Sequence, residues 1–279
     1  MNRTMITAVN TLSQLQKQVD LIGHNMANAE TTGYKKREAS FADLMAQQIN
    51  NYSSRADSEV GRVSALGIRQ GIGARISQTG MITKQGSLKT TDRPLDLAFT
   101  KENQYLKVRV QEGNDSQIQF TRNGELDIVN TGGQWMLATK DGHPVLDEYN
   151  QMITFSQNVE NVKMIRPGTF KVRMGNGENA IFQLGVITLN KPQFMEQKGN
   201  SYIGLPDQLN NNLNLDDIYV NLTEEGRGEI SLQQGVLEVS NVDIGIEMTD
   251  LMTVQRAIQF QSRSITLADQ MMGLVNGIR

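Results

Sequence analysis

The sequence predicts an α+β protein in which an antiparallel β-rich central domain is inserted between N- and C-terminal coiled-coil-forming helices. Two observations predict it. At both chain ends apolar residues recur at alternating steps of three and four, whereas the middle alternates apolar and polar residues between closely spaced turn signals. Composition adds a third. Of 279 residues, 24 are Asn, 25 are Gln and only 5% are aromatic, so the chain can bury a moderate core over part of its length. The remainder is expected to be extended or to fold against partners.

The N-terminal helix comes first. Met1, Met5, Ala8, Leu12, Leu15, Val19, Ile22 and Met26 step 4-3-4-3-4-3-4, and all are apolar. That spacing is a heptad seam, narrower than the apolar face of an ordinary core-packed helix. Asn28, Thr31 and Thr32 are breaker residues, so the helix is expected to stop near Gly33. Lys35-Lys36-Arg37 reads as a solvated helix exit, and Phe41, Leu44, Met45 and Ile49 predict a short helix within 35–50. From 51 to 92 the chain is polar and punctuated by glycines, which predicts an extended connector with short strands.

From about 94 the pattern becomes strand-like. Leu95 to Phe99, Leu106 to Val110 and Ile118 to Phe120 alternate apolar with polar or small residues. Turn signals follow at Asn123-Gly124, Thr131-Gly132-Gly133, Asp141-Gly142, Pro167-Gly168 and Gly175-Asn176-Gly177. Further strands are expected at 180–188, 218–222 and 228–232, with Trp135 in the core. The C-terminal helix closes the chain. Leu251, Val254, Ile258, Gln261, Ile265, Ala268, Met272 and Val275 form a second seam with one polar member. Ser240 and Asp243 have capping-box spacing, so a helix over 242–277 is expected, about 54 Å long at 1.5 Å per residue.

Several function classes are poorly served by this sequence. A net charge of −3 gives no basic footprint for nucleic acid. No cysteine is present, so disulfides, thiolate catalysis and Cys-ligated zinc are excluded. Two histidines, His24 and His143, read as a helix-exit and a turn residue. No dinucleotide, phosphate-loop or calcium-loop spacing occurs, and no run of about 18 apolar residues predicts a membrane span. The reading is therefore not an enzyme, without catalytic, cofactor or metal residues. The N-terminus lacks an apolar signal region.

Certain stretches carry a resemblance. Leu21 to Lys35, with Asn25, Ala27, Asn28, Thr32, Gly33 and Tyr34, closely resembles the N-terminal signature of bacterial flagellar rod and hook proteins. Gln85 to Thr91 and Pro94 to Ala98 resemble that family's entry to its β-domain, and Phe120-Thr121-Arg122-Asn123-Gly124 its hairpin. Gln234 to Asp243, with Leu237, Glu238, Ser240, Asn241 and Val242, is similar to its Gly-x-Leu-Glu-x-Ser-Asn-Val motif. Length and connector look most like a distal-rod protein. A proximal-rod or hook-type paralogue, or a secreted cell-wall-binding module, stands as the alternative.

The resemblance implies a structural axial subunit that polymerises into a hollow helical shaft, transmitting torque and conducting exported proteins. Implied partners are other copies, other rod and hook subunits, the flagellar export apparatus, and the cell wall or a surrounding ring. The implied location is the basal body outside the cytoplasmic membrane, reached without a cleaved signal peptide. Residues 1–34 with 240–279 would form the inner tube, 35–93 the connector and 94–239 the outer domain. The expected assembly interface is Met5, Leu12, Leu15, Val19, Ile22, Met26, Leu251, Val254, Ile258, Ile265, Met272 and Val275. The ends, 1–30 and 242–279, are expected to be mobile in the monomer and helical in the polymer. A carboxylate buried in such a seam has no partner. Leu15→Glu or Ile258→Glu is therefore expected to abolish assembly while the β-domain stays folded. Electron microscopy of basal bodies with circular dichroism checks this, and a variant that still builds a rod would contradict the seam.

Overall fold

The computed structural model describes residues 2–43, 46–49, 68–71, 74–112, 115–199, 201–206, 214–223 and 226–277. The protein is α+β, with an N-terminal helix, many antiparallel strands and a C-terminal helix. The chain divides into two compact units. One holds Met1–His24, Glu38–Gly80 and Ile244–Arg279, and the other Asn25–Arg37 and Met81–Asp243.

The first unit contains helix α1 (Asn2–Ala27), strands β1 (Arg37–Asp43), β2 (Ala46–Ile49), β3 (Ile68–Gly71) and β4 (Ala74–Met81), and the long helix α3 (Ile244–Gly277). Strand β1 pairs with β4, and β2 with β3. These strands replace the short helix expected within 35–50. The apolar spacing there fits a helical period, but strand partners 19 or more residues downstream take the segment. Leu44 and Met45 lie outside the described residues, as do 50–67 and Met1. Helix α1 stops at Ala27, six residues before Gly33, and its chain continues as a series of turns closed by Asn28 N–H to Asn25 O and Thr31 N–H to Asn28 O.

The heptad positions are the covered side of each helix. In α1, Ala8 and Ile22 are buried, and Met5, Leu12, Leu15, Val19 and Met26 are half-buried. In α3, Val254 and Ala268 are buried, and Leu251, Ile258, Gln261, Ile265 and Met272 are half-buried. The seam extends backward to Glu247, which is buried, and ends before Val275, which is 55% exposed. Helix α3 also carries a second apolar set. Met252, Phe260, Leu267, Met271 and Leu274 are 48–69% exposed. At 100° per residue they lie opposite the heptad positions, so the helix is apolar on two sides and covered on one. The expected capping box does not form. Ser240 stands four residues before the helix, where its Oγ accepts the Val242 N–H at 3.3 Å.

The second unit is the β-domain. Its strands are β5 (Leu88–Thr90), β6 (Leu97–Phe99), β7 (Gln104–Glu112), β8 (Asp115–Thr121), β9 (Leu126–Thr131), β10 (Gln134–Thr139), β11 (Thr154–Phe155), β12 (Val159–Arg166), β13 (Thr169–Met174), β14 (Asn179–Gln183), β15 (Val186–Leu189), β16 (Glu196–Gln197), β17 (Tyr202–Gly204), β18 (Tyr219–Asn221), β19 (Leu232–Gln234) and β20 (Val236–Glu238), with one helical turn, α2 (Leu215–Ile218), before β18. Three sheets run β16-β17-β8-β7-β15-β18, β11-β10-β9 and β12-β13-β14. Period-two alternation explains the layering. Along β7, Leu106, Val108 and Val110 enter the main core, while Tyr105 enters a smaller cluster with Phe120, Ile187 and Leu189. Trp135 is half-buried and packs against the main core. The strand expected at 228–232 is instead a 3₁₀ turn, Gly226–Glu229, followed by β19.

Candidate functional site

The stretches singled out in the sequence meet at one place, the junction where the chain leaves α1 and later returns toward α3. Its centre is the carboxylate of Glu238 on β20, 1% exposed. Oε1 accepts from Lys35 Nζ at 2.6 Å and from the Gly86 N–H at 3.0 Å. Oε2 accepts from Arg122 Nε at 2.8 Å and faces Nη2 at 2.7 Å. Arg122 is buried, and its Nη1 donates to the carbonyls of Lys101 and Gln104. Its guanidinium carbon lies 5.6 Å from the ring centres of both Phe99 and Tyr105. Lys35 also donates to the Lys84 carbonyl at 2.8 Å.

Two cations thus share one carboxylate in a dry site. Burial, and then the Arg122 charge, push the Lys35 ammonium below the ordinary lysine range, against the opposite pull of Glu238. Burial pushes the Tyr105 phenol well above its usual value. The reading of Lys35 as a solvated residue is corrected here. The basic triplet looked like a charged helix exit, but its first member turns inward because a carboxylate waits 203 positions away.

The neighbouring motif residues fix the chain around this ion cluster. The Asn25 amide clasps the backbone of Arg37, accepting its N–H at 3.1 Å and donating to its carbonyl at 2.9 Å. Its Oδ1 also accepts the hydroxyl of buried Tyr34 at 3.0 Å. Asn28 is buried, and its side chain accepts from Thr31 Oγ1. Thr32 Oγ1 donates to Glu125 Oε1 at 2.7 Å. Burial raises the Glu125 carboxyl, but the Thr32 hydroxyl and Lys140 outweigh it and hold the group below its usual range. Gly33 has φ +72°, and a side chain there would run into the Arg122–Asn123 backbone. Its N–H donates to the Glu238 carbonyl at 2.9 Å.

On the returning strand, Leu237 pairs with Lys89 of β5. Asn241 bridges both sides, its Oδ1 accepting the Lys36 N–H at 2.6 Å and its Nδ2 donating to the carbonyls of Ile82 and Lys84. Ser240 is buried and Val242 half-buried, whereas Ala27 is exposed. The junction therefore gathers Asn25, Asn28, Thr32, Gly33, Tyr34, Glu238 and Asn241. The heptad residues lie along the helices instead. Sequence reasoning missed Lys35, Gly86 and Arg122 as members. The signal was present, since each stands inside one of the stretches that carried the resemblance.

Chemically the arrangement is a clamp. Its ionic groups are paired with one another and with backbone carbonyls, and they are closed from solvent. Among the described residues no group of three or more His, Asp or Glu could hold a metal ion, and no helix is long and apolar enough to cross a membrane.

Comparisons with known proteins match both arms of the clamp. The pattern described as "Flagella basal body rod protein" matches residues 5–35, and that described as "Flagellar basal body rod FlgEFG protein C-terminal" matches 233–278. The chain is 38% identical over 283 residues to the flagellar hook-basal body complex protein FlhP of Bacillus subtilis, covering 100% of both chains. It is 30% identical over 279 residues to the flagellar basal-body rod protein FlgG of Borreliella burgdorferi, covering 100% of this chain and 99% of that one. With FlgG of Caulobacter vibrioides the identity is 29% over 282 residues, with 98% of each chain covered.

Removing one partner of a buried ion cluster leaves uncompensated charge and costs about 3–5 kcal/mol. Glu238→Gln leaves Lys35 and Arg122 facing a neutral amide, so a loss of that size is expected in denaturant unfolding of the β-domain. A change within the error of the measurement would show that the clamp does not hold the junction.

Proposed function

The chain belongs to the flagellar basal-body rod protein family and is a structural subunit of that rod, and from this premise we propose that its terminal helices complete their packing only against neighbouring subunits. The observation that carries the reading is the second apolar side of α3. A 34-residue helix with apolar residues on opposite sides buries both only when it has partners on both. The heptad positions of α1 and α3 close a coiled-coil seam within the subunit. Met252, Phe260, Leu267, Met271 and Leu274 then meet the helices of adjacent subunits and build the inner tube. The expected interface is shifted by this reading, from the seam to the side opposite it.

The finer roles follow from that placement. The clamp at Glu238 fastens to the β-domain the two chain segments that lead to the tube-forming helices, so that torque carried along the chain enters the outer domain through buried ionic and backbone contacts. The tube conducts exported proteins toward the distal rod and hook. The subunit works outside the cytoplasmic membrane, among other rod and hook subunits, after passage through the flagellar export apparatus. Absence of cysteine suits such a route, because an unfolded chain cannot carry a native disulfide through a narrow channel.

The two sides of α3 are separable by mutation. Leu267 is 58% exposed, so Leu267→Glu is expected to change subunit stability by no more than about 0.5 kcal/mol while abolishing incorporation into rods. Val254→Glu, on the covered side, is expected to lower the stability of the subunit itself. Thermal unfolding together with electron microscopy of purified basal bodies distinguishes them. Normal incorporation of Leu267→Glu would contradict the proposed interface.

A further inference from the structure

The β-domain treats its sheet edges unequally. Each of its three larger sheets has one charged edge and one uncharged edge. In the first, β12 carries Glu160, Lys163 and Arg166, while β14 is Asn-Ala-Ile-Phe-Gln. In the second, β9 carries Asp127, which pairs with Arg93, while β11 is Thr-Phe. In the third, β16 carries Glu196, while β18 is Tyr-Val-Asn. An uncharged apolar edge accepts an added strand readily, whereas a charged edge pairs only with a partner that answers its charges.

The three uncharged edges border two clefts that share Tyr149. Strands β11 and β14 border an open cleft of about 700 Å³, and β18 borders a second of about 670 Å³. Tyr149 lines both clefts and is 65% exposed. Met152, Ile181 and Val220, also on these walls, are 44%, 65% and 43% exposed. Among the described residues no strand pairs with the outer side of β14. An unguarded row of backbone groups beside exposed aliphatic side chains fits an added β-strand.

Symmetry and charge select which strand. Two β14 edges pairing with each other would form a closed dimer, whereas a rod needs a head-to-tail contact that propagates. The other edge of the same sheet is β12, which extends over eight residues against the five of β14 and is regular from Asn161 to Met164, with irregularities between Val159 and Asn161 and between Met164 and Arg166. It exposes Lys163, Arg166 and Ile165, and the clefts beside the uncharged edges carry Asp147 and Glu229. Side-chain alternation agrees. Lys163 lies opposite Lys171, which lies opposite Ile181, so these share one face while Val162, Phe170 and Phe182 share the core face.

We infer that the β14 edge of one subunit receives the β12 edge of the next, making a sheet that runs continuously between neighbours. This inference rests on the rod-subunit reading. Exposed Ile181 and Ile165 become neighbours across the junction, and Lys163 and Arg166 approach the acidic cleft walls.

The chain has no cysteine, so two single-cysteine versions of the full protein test this directly. Ile181→Cys and Ile165→Cys replace residues that are 65% and 52% exposed, so both variants should melt with the parent. Rods isolated from cells making both are treated with a short bis-maleimide. Paired strands lie about 4.8 Å apart, so the mixed dimer is expected in on the order of tenfold excess over a pairing of Ile181→Cys with Val129→Cys, on the charged β9 edge. Rods that form without this excess would overturn the inference and leave the rod reading intact, as would a predominant Ile181–Ile181 dimer. Binding of the monomer to purified peptidoglycan that is lost on Tyr149→Ala would also overturn it, since glycan would then occupy the clefts. Failure of the cysteine-free parent to enter rods would bring down the rod reading and this inference with it.

Discussion

One carboxylate organises the molecule. Glu238 receives donors from three distant parts of the chain, Lys35, Gly86 and Arg122. A buried carboxylate without such partners would be costly, so the three segments are held together or the site does not form. The span of these contacts matters as much as their strength. Lys35 and Glu238 are 203 positions apart, and bringing them together encloses the whole β-domain. The junction is therefore complete only when that domain is folded.

What leaves the junction depends on this delivery. Asn25 and Tyr34 set the exit from α1, and Asn241 ties Lys36 to the strand that leads into α3. The helices that follow differ in their needs. Helix α1 is apolar on one side, apart from exposed Ile6 and Val9 near its start, and α3 is apolar on two. On the proposed assembly, the uncovered side of α3 is the surface that neighbouring subunits cover. Assembly then contributes burial that the single subunit lacks, which keeps weak single contacts from nucleating a polymer early.

Much of the architecture was legible because the two periods are distinct. Heptad steps at the chain ends survive in the pattern of covered positions along α1 and α3, and alternation with glycine-marked turns gave the antiparallel strands. The second side of α3 is not part of the heptad, because Phe260, Leu267 and Leu274 fall outside its positions and their exposure is a property of the folded chain. Residues 37–49 were misread because a short apolar run fits a helix or a strand, and pairing with residues far downstream decides between them. Lys35 was misread for a related reason. A lysine beside two further basic residues looks solvated, and only the fold brings Glu238 within 2.6 Å. The resemblance pointed to the right stretches, but which side chains meet within them is a property of the three-dimensional arrangement.

The central claim is that α3 is completed by its neighbours while the junction is complete within the subunit. Hydrogen–deuterium exchange, compared between the dilute full-length protein and assembled rods, tests it most directly because it reports opening free energies segment by segment. The account predicts slow exchange of the Gly86 amide and of β7 in both states. It predicts that the amides of α3 are less protected than the junction in the dilute protein and gain protection in the rod. Protection of α3 that is the same in the dilute protein and in the rod would contradict it.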